Sequence, residues 1–188
     1  MKLSTGKNRL ELLRIFFTNP DKAFFMQEIG RMLGKKPGVF QRTLNALEEE
    51  GLLKSEYLGN SRFFQANTQH PLYPEVKVII AKTAGVQGVL RDLVTGLKDV
   101  KMALLYGSFA KGTERKDSDI DLLVVGKPDV ENRLLKEIPR YEKKLQREIN
   151  YKLYSEEEYF GKRKSHEPFL EEILNDRNVV LKGNFNAI

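Results

Sequence analysis

Two apolar segments, separated by a polar stretch with a fixed spacing of Gly, Ser and Asp, constrain the fold of this chain most. Both segments, Val100 to Tyr106 and Ile120 to Val125, have the length and composition of buried β-strands. The polar stretch begins with Gly107-Ser108 and ends with Asp119-Ile120-Asp121. This pattern predicts a strand, a tight turn into a short helix, and a second strand that begins with two acidic residues.

The two aspartates are expected to lie on one face of the second strand. Residues two apart on a strand point to the same side, so Asp119 and Asp121 project together while Ile120 points into a core. Two carboxylates on one face repel each other unless a cation lies between them. Mg²⁺ (or Mn²⁺) takes oxygen ligands of this kind, usually together with substrate phosphates. The alternative is a strand end with two solvated aspartates.

Gly107 and Ser108 are suited to a phosphate. Glycine lets the backbone approach closely, serine supplies a hydroxyl and an N–H donor, and the helix that begins there adds the positive end of its dipole. A triphosphate at this turn would have its metal held by the two aspartates, and a hydroxyl could attack its α-phosphorus in line. Lys111 and Arg115 lie between the turn and the aspartates. They are candidates for phosphate contacts, with a solvated loop as the alternative.

The stretch from Gly107 to Asp121, followed by Leu122-Leu123-Val124-Val125, resembles the signature of the minimal nucleotidyltransferase family. This family lies within the DNA polymerase beta-like nucleotidyltransferase superfamily. The resemblance covers roughly residues 76–188. It implies an α/β domain with a mixed sheet, a nucleoside triphosphate and Mg²⁺ as ligands, and Asp119 and Asp121 as the metal-binding catalytic pair.

The chain departs from the family pattern at one position. The family's site has a third acidic residue on a later strand, and in the matching segment here, Arg147 to Tyr154, its place falls on Asn150. Asparagine can coordinate a metal but carries no charge and is no general base. Glu148 would share the face of Asn150 and could replace it only if the strand shifted. An active transferase and a site that binds nucleotide without transfer therefore both stay open.

The first 70 residues have the pattern of three helices and a strand pair. Helices are predicted over about Lys7–Thr18, around Ile29 to Leu33, and from about Pro37 to Glu50, before strands at 52–57 and 62–66. This order resembles the winged helix-turn-helix domain that binds double-stranded DNA. Solvated surface residues and a protein-binding winged helix are the alternatives. The residues predicted to face DNA are Lys35, Lys36, Gln41, Arg42, Asn45 and Arg62.

The predicted fold class is α+β, with the winged helix followed by the nucleotidyltransferase-like domain. The predicted domains are residues 1–70 for the winged helix, 71–98 for a helical connector and 99–188 for the second domain. The segment Thr68 to Pro74 contains two prolines and is predicted to be an extended boundary.

Composition limits the functions that the chain can have. The net charge of +6 favours a polyanionic partner, and residues 1–72, with 11 Lys/Arg against 7 Asp/Glu, carry most of it. The absence of cysteine excludes disulfides and thiolate metal sites, and His70 and His166 match no metal-ligand spacing. No segment approaches the roughly 18 apolar residues of a membrane span, and no apolar signal core follows Met1. These features predict a cytoplasmic protein without a membrane partner.

The whole chain resembles prokaryotic, often archaeal, transcriptional regulators that join a winged helix to a minimal nucleotidyltransferase domain. Three functions follow from that resemblance. One is an enzyme that transfers a nucleoside monophosphate to a hydroxyl of a protein or small-molecule acceptor. The second is a DNA-binding regulator that only senses nucleotide, and the third is an antitoxin-like partner of a small helical toxin. Such regulators often form homodimers that read paired half-sites.

Overall fold

The computed structural model describes residues 6–185, which fold into two compact units. The first unit extends to Val86 and includes Lys144–Gln146, and the second contains Gln87–Lys143 and the chain from Arg147 onward. Each unit has its own sheet and its own helices, so the predicted α+β class is confirmed. Across residues 6–185, no helix has both the length and the apolar character that crossing a membrane requires.

The first unit packs its helices against a small antiparallel sheet with strand order β1-β3-β2. Its core contains Leu12, Phe16, Leu44 and Phe64, all fully buried. The elements in chain order are α1 (Lys7–Thr18), β1 (Phe24–Phe25), α2 (Met26–Leu33), a 3-10 turn (Pro37–Val39), α3 (Gln41–Glu49), β2 (Leu53–Leu58), β3 (Ser61–Ala66) and α4 (Tyr73–Thr83).

The turn between α2 and α3 differs from the sequence prediction. Helix α2 ends where expected, at Gly34, which has a left-handed φ of 63° and donates its N–H to the last carbonyls of the helix. Pro37, however, opens the 3-10 turn rather than α3 itself. The backbone of Phe40 (φ −122°, ψ −8°) separates the two elements while its ring is fully buried. Helix α3 therefore begins at Gln41.

The segment Thr68 to Pro74 is not extended, contrary to the sequence prediction. It forms turns and the start of α4. Pro74 lies in the first turn of that helix, where a missing backbone N–H removes no helical hydrogen bond. Helix α4 packs in the first unit, because Tyr73 stacks on Phe17 with ring centroids 5.3 Å apart and Val76 is buried in the same core.

The second unit is built on a four-stranded sheet with order β6-β5-β4-β7. Strand β5 runs parallel to β6, whereas β4 runs antiparallel to both β5 and β7, so the predicted mixed sheet is confirmed. The elements in chain order are α5 (Val86–Gly96), β4 (Val100–Tyr106), α6 (Gly107–Lys111), β5 (Ile120–Gly126), α7 (Val130–Leu145), β6 (Ile149–Tyr154), α8 (Glu156–Lys164), α9 (Pro168–Asn175) and β7 (Val179–Lys182).

One face of this sheet packs against α8 and α9. Leu104 and Leu123 on that face are fully buried against Tyr159 of α8 and Leu170 of α9. Helix α8 begins at a capping box, in which the Ser155 hydroxyl accepts from the Glu158 N–H and the Glu158 carboxylate accepts from the Ser155 N–H. The same sheet face carries the row of polar residues that forms the candidate site.

Candidate functional site

Three adjacent strands place Tyr106, Asp121 and Asn150 in one row across the sheet. The Cα of Asp121 pairs with that of Tyr106 on β4 and with that of Asn150 on β6. Asp119 lies just before β5, and its Oδ2 accepts a hydrogen bond of 3.3 Å from Asn150 Nδ2. Ile120 between the two aspartates is fully buried. The structure therefore brings both aspartates and the asparagine together.

The two carboxylates have different environments. Asp119 is exposed and Asp121 is half-buried. Burial, followed by the negative charge of Asp119, raises the pKa of the Asp121 carboxyl above its ordinary value. The site thus concentrates negative charge where it is poorly solvated, which is the condition that a bound cation relieves.

The donor set fits a hard divalent cation. Two carboxylates and one amide oxygen are oxygen ligands of the kind that Mg²⁺ and Mn²⁺ prefer. Across the described residues, no group of three or more His, Cys, Asp or Glu side chains is arranged to hold a metal. Glu148 is exposed and precedes β6. The third position of the site is therefore filled by the neutral side chain of Asn150.

Gly107 brings the Gly-Ser turn into contact with Asp121. Its φ of 70° lies in the left-handed region, and a Cβ built there would overlap Asp121 Oδ2 and lie 3.1 Å from Asp121 Cγ. Ser108 follows in the first turn of α6, half-buried. Helix α6 has only five residues, so the positive end of its dipole is weak. The turn and the acidic pair nevertheless form one continuous site.

Arg147 holds the loop that leads from α6 to Asp119. Its side chain is buried, and its Nη1 donates to the carbonyl oxygens of Arg115 (2.9 Å), Lys116 (2.5 Å) and Ser118 (3.1 Å). Its guanidinium also lies 5.6 Å from the ring centroid of Phe109 in α6. One side chain therefore links α6, which begins with the Gly107-Ser108 turn, to the residue just before Asp119.

The two basic candidates between the turn and the aspartates are placed differently. Lys111 Nζ lies 2.5 Å from Asp176 Oδ2, and this hydrogen-bonded pair raises the pKa of Lys111. The side chain of Arg115 is exposed, whereas its backbone N–H donates to Ser118 Oγ at 2.8 Å. The ammonium of Lys111 is therefore neutralised within the protein, and the guanidinium of Arg115 faces solvent.

A cavity of about 170 Å³ opens beside Gly107, between the end of β4, α6 and α9. Its walls include Tyr106, Phe169 and Ile173. Burial, followed by the charges of Asp121 and Tyr154, raises the pKa of Tyr106 to about 12, so its phenol stays protonated at neutral pH. Sequence reasoning missed Tyr106, Phe169 and Arg147. Of these three residues, only Tyr106 could have been identified from the sequence, because it immediately precedes Gly107.

The candidate DNA-binding residues of the first unit fall into two groups. Lys36, Gln41 and Arg42 are exposed and Asn45 is partly exposed, on α3 and the turn before it. The other two basic residues are engaged within the unit, since Lys35 bonds Asn8 and Glu11 while Arg62 bonds Glu48 and Ser55.

Comparison with known proteins identifies the second unit. Residues 86–179 match the nucleotidyltransferase domain family. The chain belongs to this family, whose members generally use divalent metal ions. The search of curated proteins found no match.

Two solved structures are similar to part of the chain. One is a toxin-antitoxin with AMP-PNP, at 17% identity over 53% of this chain and 74% of the other, with a TM-score of 0.36. The second is a mutant of the toxin-antitoxin MntA-HpeT, at 17% identity over 53% of this chain and 72% of the other, with a TM-score of 0.34. Similarity at this level gives no information on the activity of this chain.

We expect Gly107→Ala to weaken Mg²⁺-dependent nucleotide binding by about 10- to 100-fold, because the new methyl group displaces the Asp121 carboxylate. Gly112→Ala is the matched control, since Gly112 has a similar φ of 76° but no atom within 4 Å of its added Cβ. Both variants carry a backbone strain of about 1–2 kcal/mol. Isothermal titration calorimetry with a non-hydrolysable nucleotide measures the difference. Equal losses in both variants would contradict the assigned contact.

Proposed function

We propose that the chain is a DNA-binding regulator whose second unit binds a nucleoside triphosphate with Mg²⁺ and transfers the nucleoside monophosphate to a hydroxyl acceptor. Membership of the nucleotidyltransferase domain family supports the reaction class. The observation that carries the proposal is the contact of Asp121 with the Gly107 turn, at a position where the charge of Asp119 also acts on the Asp121 carboxyl.

Each residue of the site has a separate task in this proposal. The backbone of Gly107 and the hydroxyl of Ser108 bind phosphate oxygens, and Asp119 and Asp121 hold the cation. The cation, when bound, neutralises phosphate charge and orients the substrate. Catalysis then consists of positioning and electrostatic stabilisation rather than covalent chemistry by the protein.

The transfer forms a bond from the acceptor oxygen to the α-phosphorus and breaks the bond to the β-phosphate oxygen, releasing pyrophosphate. The acceptor hydroxyl loses its proton in this step. Asn150, at the position facing the acidic pair, has no basic group that can take the proton, so it passes to water. We therefore expect slow transfer by this chain.

A nucleotide sensor without transferase activity is the second candidate. Asn150 favours it specifically, because the amide lies within hydrogen-bond distance of Asp119, where a third carboxylate would add charge. Such a protein binds nucleotide and Mg²⁺ and releases the nucleotide unchanged. The two candidates differ in one measurable quantity, the rate of label transfer.

The first unit supports the DNA-binding part of the proposal. Three helices followed by an antiparallel strand pair, with β1 added beside β3, is the element order of a winged helix. In that arrangement α3 enters the major groove, and its exposed Gln41 and Arg42 read base edges or phosphate. Exposed Glu49 at the far end of α3 repels DNA, so the helix contacts DNA through its N-terminal half.

We expect Asp119→Asn and Asp121→Asn each to lower nucleotidyl transfer by about 100-fold or more, because each removes a charge that holds the cation. The assay follows labelled nucleoside triphosphate incubated with Mg²⁺ and with protein or small-molecule hydroxyl acceptors. Asp117→Asn is the matched control, since it removes a charge from the same loop at an exposed position. Nucleotide binding without transfer by the parent chain would support the sensor instead.

We expect Asn150→Asp to raise the transfer rate by about tenfold or more, because a carboxylate there accepts the proton of the attacking hydroxyl. The label-transfer rate at saturating Mg²⁺ measures the change. Asn132→Asp, at an exposed position of α7, adds the same charge away from the site and serves as control. A rate equal to or below that of the parent would show that the neutral side chain does not limit transfer.

For DNA, we expect Lys36→Ala plus Arg42→Ala to weaken binding to a mixed-sequence duplex by removing two phosphate contacts. The slope of log affinity against log salt concentration should fall in magnitude by about 2. Fluorescence anisotropy across a salt series measures the slope. The control pair, Lys136→Ala plus Arg140→Ala, removes the same charge from exposed positions of α7. If the parent chain does not bind DNA, the result would indicate that the first unit binds protein instead.

A further inference from the structure

Lys152 lies on the same sheet face as the acidic pair, one row further along β6. Its Cα pairs with that of Leu123, just as the Cα of Asn150 pairs with that of Asp121. Because side chains alternate along a strand, Asn150 and Lys152 project to the same side. The side chain of Lys152 is exposed, so it borders the open part of the site.

The ring of Phe169, from α9, fixes the direction of this lysine. Lys152 Nζ lies 4.1 Å from the Phe169 ring centroid. The same ring meets Tyr106 edge-on, with centroids 5.6 Å apart. Tyr106 is on β4 and Lys152 is on β6, so a ring that contacts both bridges the space over β5. The ammonium therefore lies on the ring that also contacts Tyr106, the residue whose Cα pairs with that of Asp121.

The ammonium of Lys152 keeps its charge available for a ligand. Within residues 6–185, the structure gives it no ion pair and no hydrogen bond, only the faces of Phe169 and, at 5.9 Å, Tyr154. An aromatic face attracts a cation without neutralising it. Two other basic residues that border the site, Lys111 and Arg147, are bonded to Asp176 and to backbone carbonyls, whereas the exposed guanidinium of Arg115 lies on the loop on the Gly107 side. A triphosphate carries more negative charge than a cation shared with two aspartates can balance.

We propose that Lys152, held over the Phe169 ring, binds the phosphate groups of the nucleoside triphosphate beside Asp121. This inference rests on the proposed function and adds to it a positive group on the side of the site away from Gly107. The competing role is packing alone, in which only the aliphatic stem of Lys152 matters, lying on Phe169. Removing the charge of Lys152 weakens nucleotide binding if the lysine binds phosphate, and leaves it unchanged if only the stem matters.

The test compares the parent chain with Lys152→Met, Lys152→Arg and Lys162→Met. Methionine keeps an unbranched apolar stem on Phe169 and removes the charge, whereas arginine restores the charge. Lys162→Met is the matched control, because Lys162 Nζ also lies over an aromatic face, 5.4 Å from the Tyr154 ring centroid, but comes from α8. Calorimetry with Mg²⁺ measures the affinity for the non-hydrolysable triphosphate analogue, among the four ribonucleotides, that the parent binds best.

We expect Lys152→Met to weaken binding of the analogue by about tenfold, Lys152→Arg to recover most of the affinity, and Lys162→Met to match the parent. Parent-like affinity of Lys152→Met overturns the inference and leaves the proposed function standing. Equal weakening by Lys152→Met and Lys152→Arg, or by Lys162→Met, overturns it as well, because the local charge is then not the cause. A parent chain that binds none of the four analogues overturns both proposals.

Discussion

The contact between Asp121 and the backbone of Gly107 is the constraint on which the second unit's site depends. Antiparallel pairing of β4 with β5 sets Asp121 opposite Tyr106, so the carboxylate meets the first residue of the following turn. A side chain at that position would displace the Asp121 carboxylate, and the left-handed φ disfavours one as well. The Gly107-Ser108 turn and the acidic pair are consequently parts of one surface, so a shift of either one moves the other.

The electrostatics of this surface are unfavourable in the isolated protein. Burial and the neighbouring Asp119 both disfavour ionised Asp121. The sheet maintains the arrangement because Ile120, between the two aspartates, is fully buried and fixes the strand's orientation. Burial of Ile120 thus holds the carboxylates of Asp119 and Asp121 side by side although they repel each other. Such unfavourable electrostatics are typical of functional sites rather than of purely structural positions.

The order of strands and helices around the site could be predicted from the sequence, because apolar periodicity and the spacing of Gly, Ser and Asp are local signals. The position of Asn150 beside the acidic pair could also be predicted, because the segment that contains it matches one strand of the family pattern. The partners of charged side chains could not be predicted in this way. Lys111 pairs with Asp176 and Lys35 with Glu11, and each pairing depends on how distant segments fold together. Lys35 is therefore less available to contact DNA than the sequence predicted, although the net charge of the first unit is unchanged.

Arg147 determines when, during synthesis, the loop before Asp119 can form its hydrogen bonds. Arg147 follows Ser118, whose carbonyl oxygen it binds, by 29 residues, and it lies two residues before the start of β6. A ribosome-bound chain that has emerged only through β5 contains both aspartates and the glycine turn but lacks the group that fastens their loop. In that shorter chain the carbonyl oxygens of Arg115, Lys116 and Ser118 lack the Arg147 guanidinium, so the loop before Asp119 gains these hydrogen bonds only after Arg147 has been added.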